Sequence, residues 1–237
     1  MILTQNADAV SYGIKTYFLA SAGTAPYTYS VLAGGAGGSI NPSTGQYTAP
    51  SVGGVDIIRA TDSDIVPNHA DLLISVLSPL ELVCEIIQRE MNLADGQVTL
   101  WDQKNEIPSD SKAYISVGIL SCKPFSNTNY YDGVSDVQST NFNATISIDI
   151  FSKSMEANDR KEEIVMALNS NYSQKQQEAN SFYIAKIPNA FLNVSYEQGV
   201  SMLYRFNLSI QMQYSVKKTS VPEYYDTFQT NTLLTDS

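Results

Sequence analysis

The stretch YRFNLSIQMQYSV, residues 204–216, alternates without a break. Tyr204, Phe206, Leu208, Ile210, Met212, Tyr214 and Val216 fall on one side, and Arg205, Asn207, Ser209, Gln211, Gln213 and Ser215 on the other. A period of two marks a β-strand with one dry and one wet face. At about 3.3 Å per residue such a strand is roughly 40 Å long, about twice the ordinary length. So long a dry face needs a cover, and the sequence upstream offers one.

In LSPLELVCEIIQREMN, residues 77–92, Ser78, Pro79 and Glu81 stand as an N-cap, a first-turn proline and a capping-box acid. Val83, Ile86, Ile87 and Met91, with Leu80 and Cys84, make an apolar stripe that largely excludes Glu81, Glu85, Gln88 and Arg89. Residues 155–169 predict a second helix. Ile164, Val165 and Leu168 share a face behind the acidic start at Glu156 and Asp159. Strands are expected at 97–102, 113–121, 141–151, 182–187 and 190–196, and the polar run NSNYSQKQQEAN reads as a connector. The order α β β β α β β β gives an α+β domain over residues 78–220: an antiparallel or mixed sheet with helices packed on one face. The dry side of 204–216 lies under those helices, and 221–237 forms a C-terminal tail.

Residues 1–77 differ in texture. They contain no Glu, only Lys15 and Arg59 as bases, and short apolar runs separated by Gly, Pro, Ser and Thr. Strands at 14–19, 27–32, 46–48, 55–60 and 70–77, with turns at AGGAGG and NPSTG, suggest a small all-β sandwich. Within it GGSINPSTGQYTAPSVGGVDIIRATDS, residues 37–63, resembles the bacterial and phage immunoglobulin-like repeats. Tyr47 is expected to pack inward above a tight turn at Asn41–Gly45. Asp56, Asp62 and Asp64 lack calcium-ligand spacing and read as a solvated loop.

Composition excludes several functions. The 237 residues carry a formal charge of −10 with no basic run, which disfavours tight binding of phosphates. No stretch reaches the ~18 apolar residues of a membrane helix, and MILTQNADAV lacks the basic and apolar regions of a signal peptide, so assembly in a cytoplasm is expected. Cys84 and Cys122 read as free buried thiols rather than a disulfide or metal pair.

Catalysis has no obvious constellation. His69, in VPNHADLL, is the single histidine and reads as an exposed loop residue. GGAGG leads into a β turn rather than a helix, unlike a phosphate loop. Glu162 and Glu163 are neighbours on a helix and diverge. Trp101 and the fifteen tyrosines mostly occupy strand positions and are expected in or near the core. The exception is the polar loop SNTNYYDGVSDVQST, residues 126–140, where Tyr130, Tyr131 and Asp132 form an interface candidate. Tyr224 and Tyr225 in the tail repeat the pattern, and Arg205 is the one charge on the wet face of the long strand. No enzyme activity, cofactor or metal is expected.

The order of helices and strands, with ISIDIFSKSMEANDRKEEIVMAL (146–168) and AFLNVSYEQGVSMLYRFNLSIQMQYSV (190–216), resembles the tail-terminator or neck proteins of tailed bacteriophages over about residues 79–220. The resemblance implies a virion protein that forms a hexameric ring, terminates the tail tube and joins it to the head connector, while DNA passes through without specific binding. The immunoglobulin-like segment departs from the minimal family. Alternatives are a tail tube subunit and a surface adhesin for a glycan or receptor.

Overall fold

The computed structural model describes residues 1–5, 9–32, 35–101, 110–131, 136–186, 190–198 and 201–220. They are mostly strand, with three helices.

The N-terminal third contains β1 (Ile2–Gln5), β2 (Ala9–Ser11), β3 (Lys15–Ser21), β4 (Thr28–Val31), β5 (Ser39–Ile40), β6 (Gln46–Thr48), β7 (Gly54–Thr61) and β8 (His69–Leu77). They form two four-stranded sheets, ordered β1-β3-β6-β5 and β2-β8-β7-β4. Phe18, Tyr29, Tyr47, Ile58, Ile74 and Val76 fill the core between them, with the Phe18 and Tyr47 rings edge to face at 6.0 Å.

The turn at Asn41 forms as expected. The Asn41 side chain accepts from the Ser43 and Thr44 amides at 3.0 Å, and Gly45 takes φ +69°, where a Cβ would strike the Phe18 carbonyl. Of the three acids, Asp64 is exposed as read, but Asp56 and Asp62 are not solvated. Asp56 is fully buried and accepts from the Tyr47 hydroxyl at 2.5 Å and from the Gly37 and Gly38 amides at 3.1 and 2.8 Å. Asp62 is buried too, accepting from the Asn68 backbone and side-chain amides. Short loops leave amides unpaired, and these carboxylates satisfy them. Gly38 explains one glycine of the GGAGG run, since a Cβ there would overlap both Tyr47 and Asp56.

Ser78 alone separates β8 from α1 (Pro79–Glu90), whose capping box is complete: Ser78 Oγ accepts from the Glu81 amide and Glu81 returns the bond to the Ser78 amide. Then follow β9 (Val98–Leu100), β10 (Tyr114–Tyr131), β11 (Asp136–Ser152), α2 (Glu156–Leu168), α3 (Asn171–Asn180), β12 (Phe182–Ile184), β13 (Leu192–Asn193), β14 (Tyr196–Gln198) and β15 (Ser201–Ser220). A mixed sheet runs β12-β15-β11-β10-β9, with β13 and β14 also on β15 and only β9 parallel to its neighbour.

One face of this sheet is buried under the helices. Ile115 and Val117 of β10, Ile146, Ile148 and Ile150 of β11, and Phe206, Leu208, Ile210 and Met212 of β15 meet Leu82, Val83, Ile86 and Ile87 of α1 and Ile164 and Leu168 of α2. Leu82 belongs to the buried stripe, whereas Leu80 and Cys84 sit at its half-buried margin.

Three expectations are corrected. The polar run after α2 is a helix, capped by Ser170 on the Ser173 amide, and it buries Ser173, Gln176 and Asn180 instead of an apolar stripe. Asn180 also ties the two parts of the chain: its Oδ1 accepts from the Ser11 amide at 2.6 Å, and its Nδ2 donates to the Ala9 carbonyl. Second, 126–131 and 136–140 are strand rather than loop, because β10 and β11 pair from Tyr114↔Phe151 out to Tyr131↔Asp136. Third, Cys122 is exposed and lies within a strand, its Sγ 3.3 Å from the Tyr214 hydroxyl.

Candidate assembly surface

The sheet outruns its cover. β10, β11 and β15 are 18, 17 and 20 residues long, about three times the usual strand. Helical cover ends near the row Cys122–Ala144–Met212. Beyond it the three strands continue as an arm, and the eight residues 213–220 of β15 take it roughly 26 Å further.

Along the arm the described side chains of both faces are at least partly exposed, Val137 excepted. Phe142 and Tyr214 stack at its root, rings 5.6 Å apart. Burial, then the bond to Cys122, raises the pKa of the Tyr214 hydroxyl. Phe125, Tyr130, Tyr131 and Val216 stand about half exposed. This is why Val216 breaks the dry-face expectation: the alternation persists, but no helix reaches that far.

The two edges of the arm carry devices that oppose strand addition. Beyond Val117, β10 has no outer partner among the described residues. That edge holds Lys123, Pro124 and two register irregularities, at Ile119–Ser121 and Pro124–Ser126. The β15 edge ends in Lys217 and Lys218. Charge, proline and bulges on an edge block intermolecular strand pairing, so the arm presents its faces and tip.

The sheet face away from the helices is mostly a carpet of small polar groups, as the alternation of 204–216 implied, with Asp149, Arg205 and Lys123 as charges among them. Rows such as Ser116–Asp149–Asn207, Gly118–Ser147–Ser209, Ser121–Thr145–Gln211 and Lys123–Asn143–Gln213 cross it. Asn207 Nδ2 donates to Ser147 Oγ at 2.6 Å and to Asp149 Oδ1 at 3.0 Å, and Gln211 Nε2 donates to Thr145 Oγ1 at 3.0 Å. Ser215 Oγ donates to Asn141 Oδ1. Trp101 lies across this face against Gly118, where a Cβ would come within 2.4 Å of the indole.

The expected interface residues separate. Tyr130 and Tyr131 sit at the arm tip on opposite faces, paired with Val137 and Asp136, and edge a hollow of about 410 Å³ with Asn129, Gln138 and Ser220. Arg205 is not with them. It lies fifteen residues from the end of β15, roughly 50 Å away, and its Nε donates to Asp149 Oδ1 at 3.1 Å. That bond raises the guanidinium pKa. Asp132, Tyr224 and Tyr225 lie outside the described residues. The long three-stranded arm went unread because its polar loop composition hid strands that pair only with one another.

The other candidates do not converge. His69 opens β8 and is exposed. Glu163 accepts from Arg160, and Glu162 pairs with Lys161. Among the described residues no group of three or more His, Cys, Asp or Glu is placed to hold a metal. No described helix is long and apolar enough to cross a membrane. More tyrosines are exposed than the alternation implied: Tyr12, Tyr17, Tyr183 and Tyr196 join Tyr130 and Tyr131.

No protein family matches the chain, and no curated protein does. Among solved structures the chain is similar to protocadherin gamma B7 extracellular cadherin domains 1–4, at 11% identity and a TM-score of 0.22. The match covers 94% of this chain and 49% of that one, so the chain spans about half its length. At that score the likeness carries no argument about function.

Proposed function

We propose that the chain is a structural subunit of a tailed-phage neck. Copies close into a ring, six in the resembling family, that terminates the tail tube and joins it to the head connector. On this reading residues 1–77 are an outward immunoglobulin-like decoration and 78–220 an α+β ring body. The observation that carries it is the arm: three strands extended far past their own core, with both faces open and both edges blunted. A monomer gains nothing from such an extension, because strands without a buried face contribute little stability. A neighbouring subunit supplies the missing cover, through a heterologous contact that closes on itself.

The largely amide and hydroxyl carpet suits a wall beside DNA or beside another subunit, since it offers hydrogen-bonding groups and its buried carboxylate, Asp149, is already paired with Arg205. Light scattering on the purified chain, followed by negative-stain electron microscopy, tests the reading. Closed rings are expected. Open stacks of rings favour the tail tube subunit, and a monomer that binds cells favours the adhesin.

A further inference from the structure

We propose that β2 is a strand shared by two cores and clamped by Asn180, so that residues 1–77 and 78–220 form one rigid, cooperative unit. The inference stands on the single chain and does not rest on the ring reading. Two units joined end to end through one residue, here Ser78, ordinarily move relative to one another. A second connection opposes that motion.

β2 is three residues long and buried throughout. It pairs in parallel with the end of β8, as Ala9↔Ser75, Val10↔Val76 and Ser11↔Leu77. Successive side chains of a strand point to opposite faces. Val10 and Val76 turn into the sandwich and are fully buried with Phe18, Tyr47 and Ile58. Ala9 turns the other way and joins the core under the helices, with Leu77 packed at its margin. Neighbouring residues of one strand therefore belong to different cores, and loss of β2 opens both.

Asn180 acts on the outer edge of β2. An edge strand leaves alternate amides and carbonyls without partners, and Ala9 and Ser11 are buried. The last residue of α3 serves both groups: Asn180 Oδ1 accepts from the Ser11 amide at 2.6 Å, and Nδ2 donates to the Ala9 carbonyl at 3.4 Å. A side-chain amide carries the donor and acceptor of a peptide group, so this residue takes the place of an adjoining strand. Its Nδ2 also donates to the Gln176 carbonyl at 3.0 Å and to Gln176 Oε1 at 3.1 Å. α3 is in turn held on α1, where the Tyr172 hydroxyl donates to Glu85 Oε1 at 2.8 Å and the Arg89 guanidinium lies 3.8 Å over the Tyr172 ring. The path from α1 through α3 and Asn180 to β2 closes on the covalent link at Ser78. Two linkages fix an orientation that one leaves free, and Asn180 is the positioning residue of the sandwich.

The test unfolds the full chain in urea. Trp101, the single tryptophan, reports the helix-covered part by fluorescence, and amide exchange in β7 reports the sandwich. Ile58→Val removes one methyl group from the sandwich core alone, a modest loss. It is expected to move the Trp101 midpoint to lower urea together with the loss of β7 protection, in one coincident transition. Asn180→Ala removes both bonds to β2 and is expected to split that transition in two, after which the Trp101 midpoint no longer responds to Ile58→Val. Gln176→Ala weakens α3 without touching the bonds to β2 and should keep the transition single. A Trp101 midpoint that ignores Ile58→Val in the otherwise wild-type chain overturns the shared unit. A transition that stays single in Asn180→Ala, or splits equally in Gln176→Ala, overturns the clamp.

Discussion

Arg205 stood out in the sequence as the single charge on a wet face, and its geometry gives it a job within the subunit. Its Nε donates to Asp149 Oδ1, which also accepts from Asn207. Asp149 is only 7% exposed, so the ion pair is half sheltered by the sheet. A hydrogen bond to a charged group contributes about 1.5–3 kcal/mol when buried. The Arg205 side chain is 38% exposed, and solvent screening brings the pair toward the surface value of 0.2–1 kcal/mol. The two limits bracket a coupling of about 1 kcal/mol. Arg205→Gln and Asp149→Asn, singly and together, measure it by urea denaturation as a double-mutant cycle. Each single variant is expected to lose about 1–2 kcal/mol, the double less than the sum, and all three are expected to assemble normally. If Arg205→Gln abolishes ring formation without lowering the denaturation midpoint, Arg205 belongs to an interface and the assignment to the sheet is wrong.

Three further outcomes follow from the geometry. Gly118→Val must drive Trp101 off the sheet; with the indole 51% exposed, about half of its ~200 Å² is at stake, or at most about 2.5 kcal/mol at 25 cal/mol/Å². The fluorescence of this single tryptophan should shift to the red, and an unchanged spectrum would contradict the packing. Tyr130→Ala with Tyr131→Ala should leave thermal unfolding within a few degrees of wild type while raising the concentration for assembly; unaltered assembly would remove the tip from the interface. Burial alone pushes the Asp56 carboxyl up, but the Tyr47 hydroxyl and the Gly38 and Gly37 amides outweigh it and hold the pKa below the ordinary range. Its contribution is therefore present above the unfolded value of about 3.9 and is lost as pH falls through the lower folded value. Amide-exchange protection in β3, β6 and β7 should weaken there in the wild type and vary less in Asp56→Asn; parallel curves would refute the linkage.

What could be read from the sequence follows from where its physics is local. The capping box at Ser78 and the dry stripe of 204–212 are set by neighbours three or four residues away, or two, and both formed as read. α3 escaped because its buried side is polar: Ser173 donates to the Leu168 carbonyl and Gln177 accepts from the Ile184 amide, bonds that no hydrophobic period reveals. Asp56 was misread as solvated because its partners at Gly37, Gly38 and Tyr47 are nine to nineteen residues away. The arm was missed for a related reason. Asn, Ser and Thr in 126–140 have turn chemistry, and only the pairing of β10 with β11 and of β11 with β15 makes them strand. The tyrosines at its tip are exposed as read, but their place on a paired strand extension came from the register alone.

The wet face raises a last question, whether DNA slides past it or sticks. On the ring reading this face lines the channel or borders it. Retention there scales with the number of unpaired cations, since each phosphate neutralised adds about 0.9 to the slope of log affinity against log salt. Arg205 would be such a cation in every subunit, but Asp149 neutralises it at 3.1 Å. The remaining rows down to Thr145 and Gln211 offer amides and hydroxyls, which exchange partners with water at little cost. Asp149→Asn therefore acts twice: it weakens the sheet modestly and uncovers one guanidinium per subunit. Assembled wild-type rings are expected to show no measurable retention of duplex DNA at about 0.15 M salt, where the Debye length is about 8 Å, whereas Asp149→Asn rings should retain it with a salt slope steeper by nearly one for each Arg205 that meets a phosphate. Strong retention by the wild type would refute a neutral channel. Equal, negligible retention by both would place this face on the outside of the ring, where its lack of charge serves contact with a neighbour rather than passage of DNA.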